Sequence, residues 1–356
     1  MNKYLSIALI SSFLFANPID TAFKQGTYKG SFAIHYERYN FKNAQDSGFG
    51  MYSVGLNFKS KKENNIQLNL GFRANDRFYE LYNGDYDNTT KAILSTANLT
   101  FFGNNFNIVL GRKKEVLQWI HGYQEEIKLN MKPTANTNLE VLHTYRHARA
   151  NNHAPLKQFK QINGNDGLNV ITLEAKSGNI KGQVYFYNAP DLANWYGTTI
   201  NIQQNSCSLK AVYSKSNELT NKPNGSYFNI EGSYSADPAS LTLGYIQTDK
   251  NGGLSSMTIA RNVYDNMNPL EEGNHIFEKD AKTVYASSTL NVNDKLSFTI
   301  NLGHIKFQDK KANEIDFYTD YAFNDNFSAE LCLDKYSSDI STDDSTAIKT
   351  QINYKF

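Results

Sequence analysis

The stretch Thr346-Ala-Ile-Lys-Thr-Gln-Ile-Asn-Tyr-Lys-Phe356 decides the fold of this chain. Along an extended strand, one face carries Ile348, Thr350, Ile352, Tyr354 and Phe356, and the other carries Lys349, Gln351, Asn353 and Lys355. A soluble protein rarely exposes such a strand at a sheet edge, because the edge would pair with other chains. In a closed transmembrane barrel the last strand pairs with the first, one face meets lipid, and the other meets the lumen. The stretch therefore predicts the closing strand of a transmembrane antiparallel β-barrel.

Both ends of the sequence carry targeting features. Met1 to Ala16 combines a basic residue near its start, an apolar run from Leu5 and a small residue at its end. This pattern is typical of a secretory signal peptide cut after Ala16, and the run is too short for a membrane anchor, which needs roughly 20 apolar residues. We therefore expect residues 1–16 to be a signal peptide and residues 17–356 to form one barrel domain. Tyr354 and Phe356 resemble the signal that the outer-membrane assembly machinery reads.

The composition excludes several classes of partner. Lys plus Arg is 36 and Asp plus Glu is 35, so no strong net field would recruit nucleic acid. Aromatic residues are 13 % of the chain and are mostly Tyr and Phe, which favour strands and form the aromatic girdles of barrels. Cys207 and Cys332 fall on opposite strand faces and lack the spacing of a metal site. We expect no disulfide between them, no metal and no other cofactor.

From Gly26 onward, apolar and polar residues alternate with period two in one segment after another. A β-sandwich would show the same alternation, but not so many repeats in one domain. The connections alternate between short ones, such as Lys61–Asn64 and Gly103–Asn105, and longer ones, such as Arg112–Gly122, Pro190–Tyr196, Asp249–Asp280 and Gln308–Ala312. Short periplasmic turns and longer extracellular loops are typical of outer-membrane barrels. The pattern predicts an all-β barrel of about 18 strands, with 16 as the alternative even number.

Short segments spread along the chain carry a family resemblance. They are Ala22-Phe-Lys-Gln-Gly-Thr-Tyr-Lys-Gly30, Leu110-Gly-Arg-Lys113 with Gln118-Trp-Ile120, Asn188-Ala-Pro-Asp-Leu-Ala-Asn-Trp-Tyr-Gly197 and Asn268-Pro-Leu-Glu-Glu-Gly-Asn-His275. In this order they resemble the Opr-type (OprD-like) outer-membrane porins of Gram-negative bacteria, relatives of carboxylate and amino-acid channels. The resemblance implies a barrel of 18 strands whose inward-folded loops narrow a pore for small solutes. It does not name the solute.

Strand parity indicates which charged residues line the lumen. The basic candidates for the pore wall and its constriction are Arg73, Arg112, Lys113 and Arg146, and the acidic candidates are Glu231, Asp316 and Asp320. Opposed basic and acidic walls would set up a transverse field that orients dipolar solutes; the alternative is that these positions are only solvated. The predicted loop Arg112–Gly122 either folds into the lumen or stays on the surface. The longest loop, Asp249–Asp280, either folds inward or caps the mouth.

The sequence shows no catalytic motif. His143 and His147 lie about 13 Å apart on a strand, too far for one metal ion, and the chain lacks the HExxH and GxSxG motifs. We therefore expect a passive porin, not an enzyme, through which small hydrophilic solutes and ions diffuse, with amino acids and small carboxylates as candidates. The alternative is an outer-membrane adhesin that acts through its extracellular loops. Expected partners are outer-membrane lipids, small solutes and the assembly machinery, with the barrel as a monomer or a homotrimer.

Overall fold

The computed structural model describes residues 16–260 and 267–356, so the predicted signal peptide lies almost wholly outside the described residues and stays a prediction. Helix α1 spans Ala16–Lys24, and a short 3-10 helix spans Ser255–Thr258. No described helix is long and apolar enough to cross a bilayer. The strands are β1 Thr27–Phe41, β2 Ser47–Lys59, β3 Ile66–Glu80, β4 Ala92–Phe102, β5 Phe106–Val116, β6 His121–Thr134, β7 Thr137–Arg149, β8 Lys157–Gln161, β9 Leu168–Ser177, β10 Ile180–Ala189, β11 Ala193–Gln204, β12 Cys207–Glu218, β13 Ser226–Ala236, β14 Ala239–Thr248, β15 Lys282–Asn293, β16 Leu296–Phe307, β17 Lys310–Ala322, β18 Phe327–Ser338 and β19 Ser345–Lys355.

The strands form one closed antiparallel sheet. Neighbours in sequence pair with each other, and β1 also pairs with β19, from Ser31 opposite Lys355 to Phe41 opposite Ser345. Among the described strands, β8 is the exception, because it pairs with β7 alone at the rim while β7 pairs directly with β9. The barrel therefore has 18 strands. This confirms the predicted all-β fold class and decides against 16 strands.

The seam between the first and last strands carries Tyr354 and Phe356. The Phe356 N–H donates to the carbonyl oxygen of Gly30 at 3.1 Å, and the Gly30 N–H donates back at 2.7 Å. The ring of Phe356 lies over Gly30, where a Cβ would stand 2.1 Å from it, so a larger residue would displace the ring. Tyr354 stacks on the same ring with 5.9 Å between the centroids. Both aromatic residues are exposed, and their role as an assembly signal stays a prediction.

The two faces of the sheet differ as the alternation predicts. In β16, Ile300 and Leu302 are exposed on the outer surface, whereas Asn301 between them is buried inside the barrel. The outer apolar positions meet lipid in a bilayer, and the inner polar positions line the lumen. Cys207 is exposed, Cys332 is buried, and both are free thiols.

An arginine on the outer face is expected to cost far more stability than one on the inner face. Leu243 is 56 % exposed on the outer face, whereas the neighbouring Thr242 lies 2.8 Å from the Ser233 hydroxyl inside the barrel. Leu243→Arg should lower the free energy of unfolding by about 2–4 kcal/mol, because a charge near the bilayer midplane loses its hydration. Thr242→Arg is the control and should cost much less. Urea titration in lipid vesicles measures both, and equal losses would contradict the assigned faces.

The short turns lie where the sequence predicts them, but several of the predicted long loops are shorter than expected. Strands β5 and β6 extend through most of the predicted loop Arg112–Gly122, and Val116 is still paired opposite His121. The predictions of loops over Pro190–Tyr196 and Gln308–Ala312 are wrong in the same way, because β11 and β17 begin within them. Charged side chains led to the wrong boundary, since the inner face of a barrel strand accepts charges that a soluble sheet would leave to loops.

Long segments from one rim fold into the barrel. The β7–β8 loop, residues 150–156, crosses to β3 and β19. The β14–β15 loop, described over residues 249–260 and 267–281, packs along the inner wall. A buried apolar cluster joins Leu254, Met257, Leu270 and Ile276 of this loop to Trp119, Tyr187, Trp195 and Tyr227. Because these loop side chains are buried among inner-wall side chains, the β14–β15 loop folds inward and does not merely cap the mouth.

Candidate channel constriction

An acidic stripe runs along the inner faces of β17 and β18. Its members are Glu314, Asp316, Asp320, Glu330 and Asp334. Asp316 lies directly opposite Asp334 in the strand register, and Asp320 lies opposite Glu330. Side chains at opposed positions share one face of a sheet and contact each other. The intervening residues, such as Ile315, are exposed on the outer surface, so the stripe faces the lumen.

Lys349 of β19 holds the β14–β15 loop against this stripe. Its Nζ lies 2.5 Å from Glu271 Oε1 and 2.7 Å from Glu272 Oε1. Tyr318 donates to Glu271 Oε2 at 2.5 Å, and Tyr39 donates to Glu272 Oε1 at 2.9 Å. The Lys349 side chain is 14 % exposed, so each charge depends on its partner for compensation. We call Tyr39, Glu271, Glu272, Tyr318 and Lys349 the loop anchor.

The backbone of the same loop also binds the stripe. The N–H groups of Glu272 and Gly273 donate to the two oxygens of Glu314 at 2.6 and 2.9 Å, and the N–H of Glu271 donates to Asp316 Oδ2 at 3.0 Å. Gly273 has φ +56°, a conformation that favours glycine, and a neighbouring side chain fills the place where a Cβ would stand. The turn at Gly273 thus directs successive amide groups at the inner wall.

The loop anchor also fixes the charge of Glu271. Burial raises the pKa of this carboxyl, but the charge of Lys349 and the hydrogen bonds from Lys349 and Tyr318 lower it more, so the pKa lies below its usual range. A carboxyl with a depressed folded-state pKa stabilises the folded form above the pKa of free glutamate. It loses that contribution as the pH falls through the folded-state pKa. The anchor is therefore complete at neutral pH and weakens in acid.

The β7–β8 loop approaches the anchor from the other side. Asn75 of β3 donates to two backbone oxygens of this loop, both at 3.0 Å. Asn152 Nδ2 donates to Asn353 Oδ1 of β19 at 2.7 Å. The ring of His153 lies 6.3 Å from that of His35 on β1. Two inward-folded loops therefore narrow the lumen beside β19 and β1, and this is the candidate constriction.

The structure does not gather the predicted basic residues at one place. Arg73 lies on the inner face of β3 and donates to a serine hydroxyl of β2 at 2.6 Å. Arg112 and Arg146 both lie beside Glu125, at 3.9 and 3.7 Å, and Arg112 stacks on the Phe159 ring at 4.4 Å. Of these three bases, Arg73 alone is near the β1–β3 side of the lumen, where the two inward loops meet the wall.

Lys113 and the predicted acidic residues are also placed separately. Lys113 alternates with Arg112 along β5, so it lies on the other strand face, where it binds Glu115 at 2.7 Å. Glu231 binds Lys210 at 3.1 Å on the inner face of β13. Asp316 and Asp320 belong to the acidic stripe. Arg112 and Lys113 are strand residues with carboxylate partners, because most of the loop predicted to carry them does not form.

The sequence did not predict the most constrained part of the site. Glu271 and Glu272 lie in a loop without periodicity, so no sequence signal shows which wall they reach. Glu314 could have been found, because it alternates with Asp316 along β17, but the predicted loop Gln308–Ala312 obscured the start of that strand.

The chain is similar to several known outer-membrane proteins. Residues 49–211 match a family model described as "Putative outer membrane protein", and no curated protein matches the chain. Acinetobacter baumannii OccAB4 has 15 % identity, covers 93 % of this chain and 98 % of its own, and superposes with a TM-score of 0.77. OccAB1 of the same organism has 12 % identity, coverage of 94 % and 97 %, and a TM-score of 0.78. Pseudomonas aeruginosa OpdK with vanillate has 10 % identity, coverage of 92 % and 98 %, and a TM-score of 0.72.

The comparisons confirm the predicted fold, because the closed barrel matches barrels of the OprD family. The family model that matches residues 49–211 is described as an outer membrane protein, in agreement with the predicted location. None of the comparisons supports the alternative of an adhesin. At identities of 10–15 %, the solved structures show the fold of this chain.

Proposed function

We propose that the protein is a passive diffusion channel of the outer membrane whose constriction favours cations and small hydrophilic solutes that carry an ammonium group. The observation that carries this proposal is the acidic stripe, which lies on the lumen side of β17 and β18 beside the inward-folded β14–β15 loop. The apolar outer surface faces outer-membrane lipids, and Tyr354 and Phe356 are the residues that the assembly machinery would read.

The charges around the constriction are unequal. Within the described chain, no Lys or Arg forms an ion pair with a stripe carboxylate, and Lys349 is already shared by Glu271 and Glu272. A narrow passage lined by one sign of charge raises the local concentration of the opposite ion. Potassium ions and protonated amines are therefore expected to enter this passage more readily than chloride or carboxylates.

Arg73 extends the proposal to zwitterions. It lies on β3, on the far side of β19 and β1 from the stripe, and its guanidinium is held by serine hydroxyls. A small zwitterion could place its ammonium group near Asp320 and Glu330 and its carboxylate near Arg73. The similar barrel OpdK holds vanillate, an aromatic carboxylate without an ammonium group. We propose that amino-acid-like zwitterions fit this channel better than such an anion.

Neutralising Asp320 and Glu330 of the acidic stripe tests the proposal. Asp320→Asn combined with Glu330→Gln should shift the reversal potential in a KCl gradient away from cation preference. The shift should be larger at low salt, because the Debye length grows from about 8 Å at physiological ionic strength to about 30 Å at 0.01 M. Single channels in planar bilayers measure the reversal potential directly.

The matched control removes two acidic charges outside the lumen. Asp309 and Asp325 are exposed residues of turns at opposite rims, so Asp309→Asn with Asp325→Asn should leave the reversal potential nearly unchanged. A wild-type channel without cation preference would overturn the proposed selectivity. Equal shifts from the two double variants would mean that the stripe is not at the narrowest point.

A further inference from the structure

Three carboxylates of the stripe converge on one point. Glu314 and Asp316 extend from β17 and Asp334 from β18, and one oxygen from each lies within 4.8 Å of the others. All three side chains are buried, with exposures of 3 %, 0 % and 5 %. None of them has a Lys or Arg ion-pair partner among the described residues. Three like charges in a buried place are strongly unfavourable unless a cation compensates them or protons neutralise them.

Oxygen atoms within this group have no protein partner. Among the described residues, neither Asp334 oxygen accepts a hydrogen bond, and Asp316 Oδ1 also has none. The other Asp316 oxygen accepts from Asn301 at 3.4 Å and from the Glu271 N–H at 3.0 Å. Buried carboxylate oxygens normally have hydrogen-bond donors or a metal ion as partners. The unpartnered oxygens of Asp316 and Asp334 are therefore available as ligands.

We propose that Glu314, Asp316 and Asp334 bind a divalent cation of the Ca²⁺ type. Ca²⁺ takes oxygen ligands at about 2.3–2.6 Å, so ligands on opposite sides of the ion stand about 4.6–5.2 Å apart. The three oxygens all lie within 4.8 Å of one another, so one ion at these bond lengths can reach all of them. Mg²⁺ demands near-octahedral geometry and keeps several water ligands, whereas the flexible Ca²⁺ shell accepts a site built of carboxylates. Water completes the coordination shell.

The ion would link the wall to the β14–β15 loop. Glu314 accepts the N–H groups of Glu272 and Gly273, and Asp316 accepts that of Glu271. The loop N–H groups orient these carboxylates, because hydrogen bonds to metal ligands fix their direction, and a bound cation in turn favours the loop position that makes these bonds. Its binding therefore stabilises the inward-folded loop. A cation bound here would compensate three carboxylates of the stripe and leave the proposed ion selectivity to Asp320 and Glu330, so the two proposals are tested with different variants.

The experiment uses the whole barrel refolded in detergent without lipopolysaccharide, which itself binds divalent cations. Tb³⁺, a luminescent substitute for Ca²⁺, is titrated after treatment with EDTA, with excitation through the nearby tyrosines, and Ca²⁺ is then used to displace it. We expect a saturable signal that Ca²⁺ displaces more readily than Mg²⁺. Ca²⁺ should also raise the midpoint of thermal unfolding, because it binds the folded state.

Asp334→Asn is the test variant, because Asp334 takes no part in the hydrogen bonds to the loop. We expect Tb³⁺ affinity to fall by at least about tenfold and the rise in unfolding midpoint with Ca²⁺ to disappear. Asp320→Asn, on the same face of β17, is the control for binding and should keep the wild-type Tb³⁺ affinity and the wild-type rise in unfolding midpoint with Ca²⁺. If the wild type gives no saturable, Ca²⁺-displaceable signal, the proposal is overturned even if Asp334→Asn fails to fold. An equal loss in Asp320→Asn would also overturn it.

Discussion

Lys349→Met is expected to release the β14–β15 loop from the wall and to give a channel with higher, fluctuating conductance. The substitution leaves Glu271 and Glu272 without the ammonium group that lies 2.5 and 2.7 Å away from them. Breaking a buried ion pair in this way costs about 3–5 kcal/mol, because the remaining charges stay buried without compensation. Single-channel recording in planar bilayers measures the effect as a larger mean current with more noise.

Two comparisons separate loss of the anchor from loss of a positive charge. Lys355 lies on the same strand and face, six residues nearer the other rim, so Lys355→Met should leave the current quiet. Adding Glu271→Gln and Glu272→Gln to Lys349→Met removes the uncompensated charges and should restore most of the quiet conductance. If Lys349→Met and Lys355→Met gave the same current, the loop would not depend on the anchor.

Phe356→Ser is expected to reduce folded protein in the outer membrane severalfold. Phe356 closes the seam through its backbone bonds to Gly30, and its exposed ring covers that glycine. Serine keeps the backbone bonds but removes the aromatic ring that the assembly machinery is predicted to read. Heat-modifiable mobility on a gel measures the folded fraction in cells.

Refolding in detergent separates a signal from a structural role, because no assembly machinery is present there. If Phe356 acts as a signal, Phe356→Ser should refold in detergent nearly as well as the wild type. Tyr234 is another exposed aromatic residue, near the end of β13, so Tyr234→Ser is the matched control in cells. An unchanged yield of Phe356→Ser in cells would show that Phe356 carries no assembly signal.

The barrel could be predicted from the sequence because contact with lipid imposes the same alternation of apolar and polar residues on every strand. Every membrane-spanning strand must present apolar residues to lipid at alternate positions. Neighbours such as Leu243 and Thr242 therefore show which face of the strand meets lipid, without any tertiary information. The acidic residues Asp316 and Asp320 could be assigned to the lumen by the same rule. The closing pair of strands followed from the end of the sequence, since a closed barrel needs a partner for its last strand.

The constriction could not be predicted, because it depends on contacts between residues far apart in the chain. Glu272 and Lys349 form an ion pair across a long sequence separation, and nothing near Glu272 encodes the position of its partner. The charges of Arg112 and Lys113 also led to a wrong prediction of a loop. A cluster of charges indicates a loop in soluble proteins, whereas here each base has a carboxylate on a neighbouring strand position.

The apolar cluster around Trp119 and Trp195 makes the inner wall of the barrel unequal. Its strand residues lie on β7 and on the strands from β9 to β18, so packed hydrocarbon covers part of the wall and leaves the rest to water. Water beside low-dielectric protein screens charges less well than bulk water does. The field of the carboxylates is therefore concentrated in the water-filled part of the lumen. In the proposed channel, a solute would pass the carboxylates with one side against apolar protein and the other against the charged wall. Such an asymmetric field would orient the dipole of the solute during its passage.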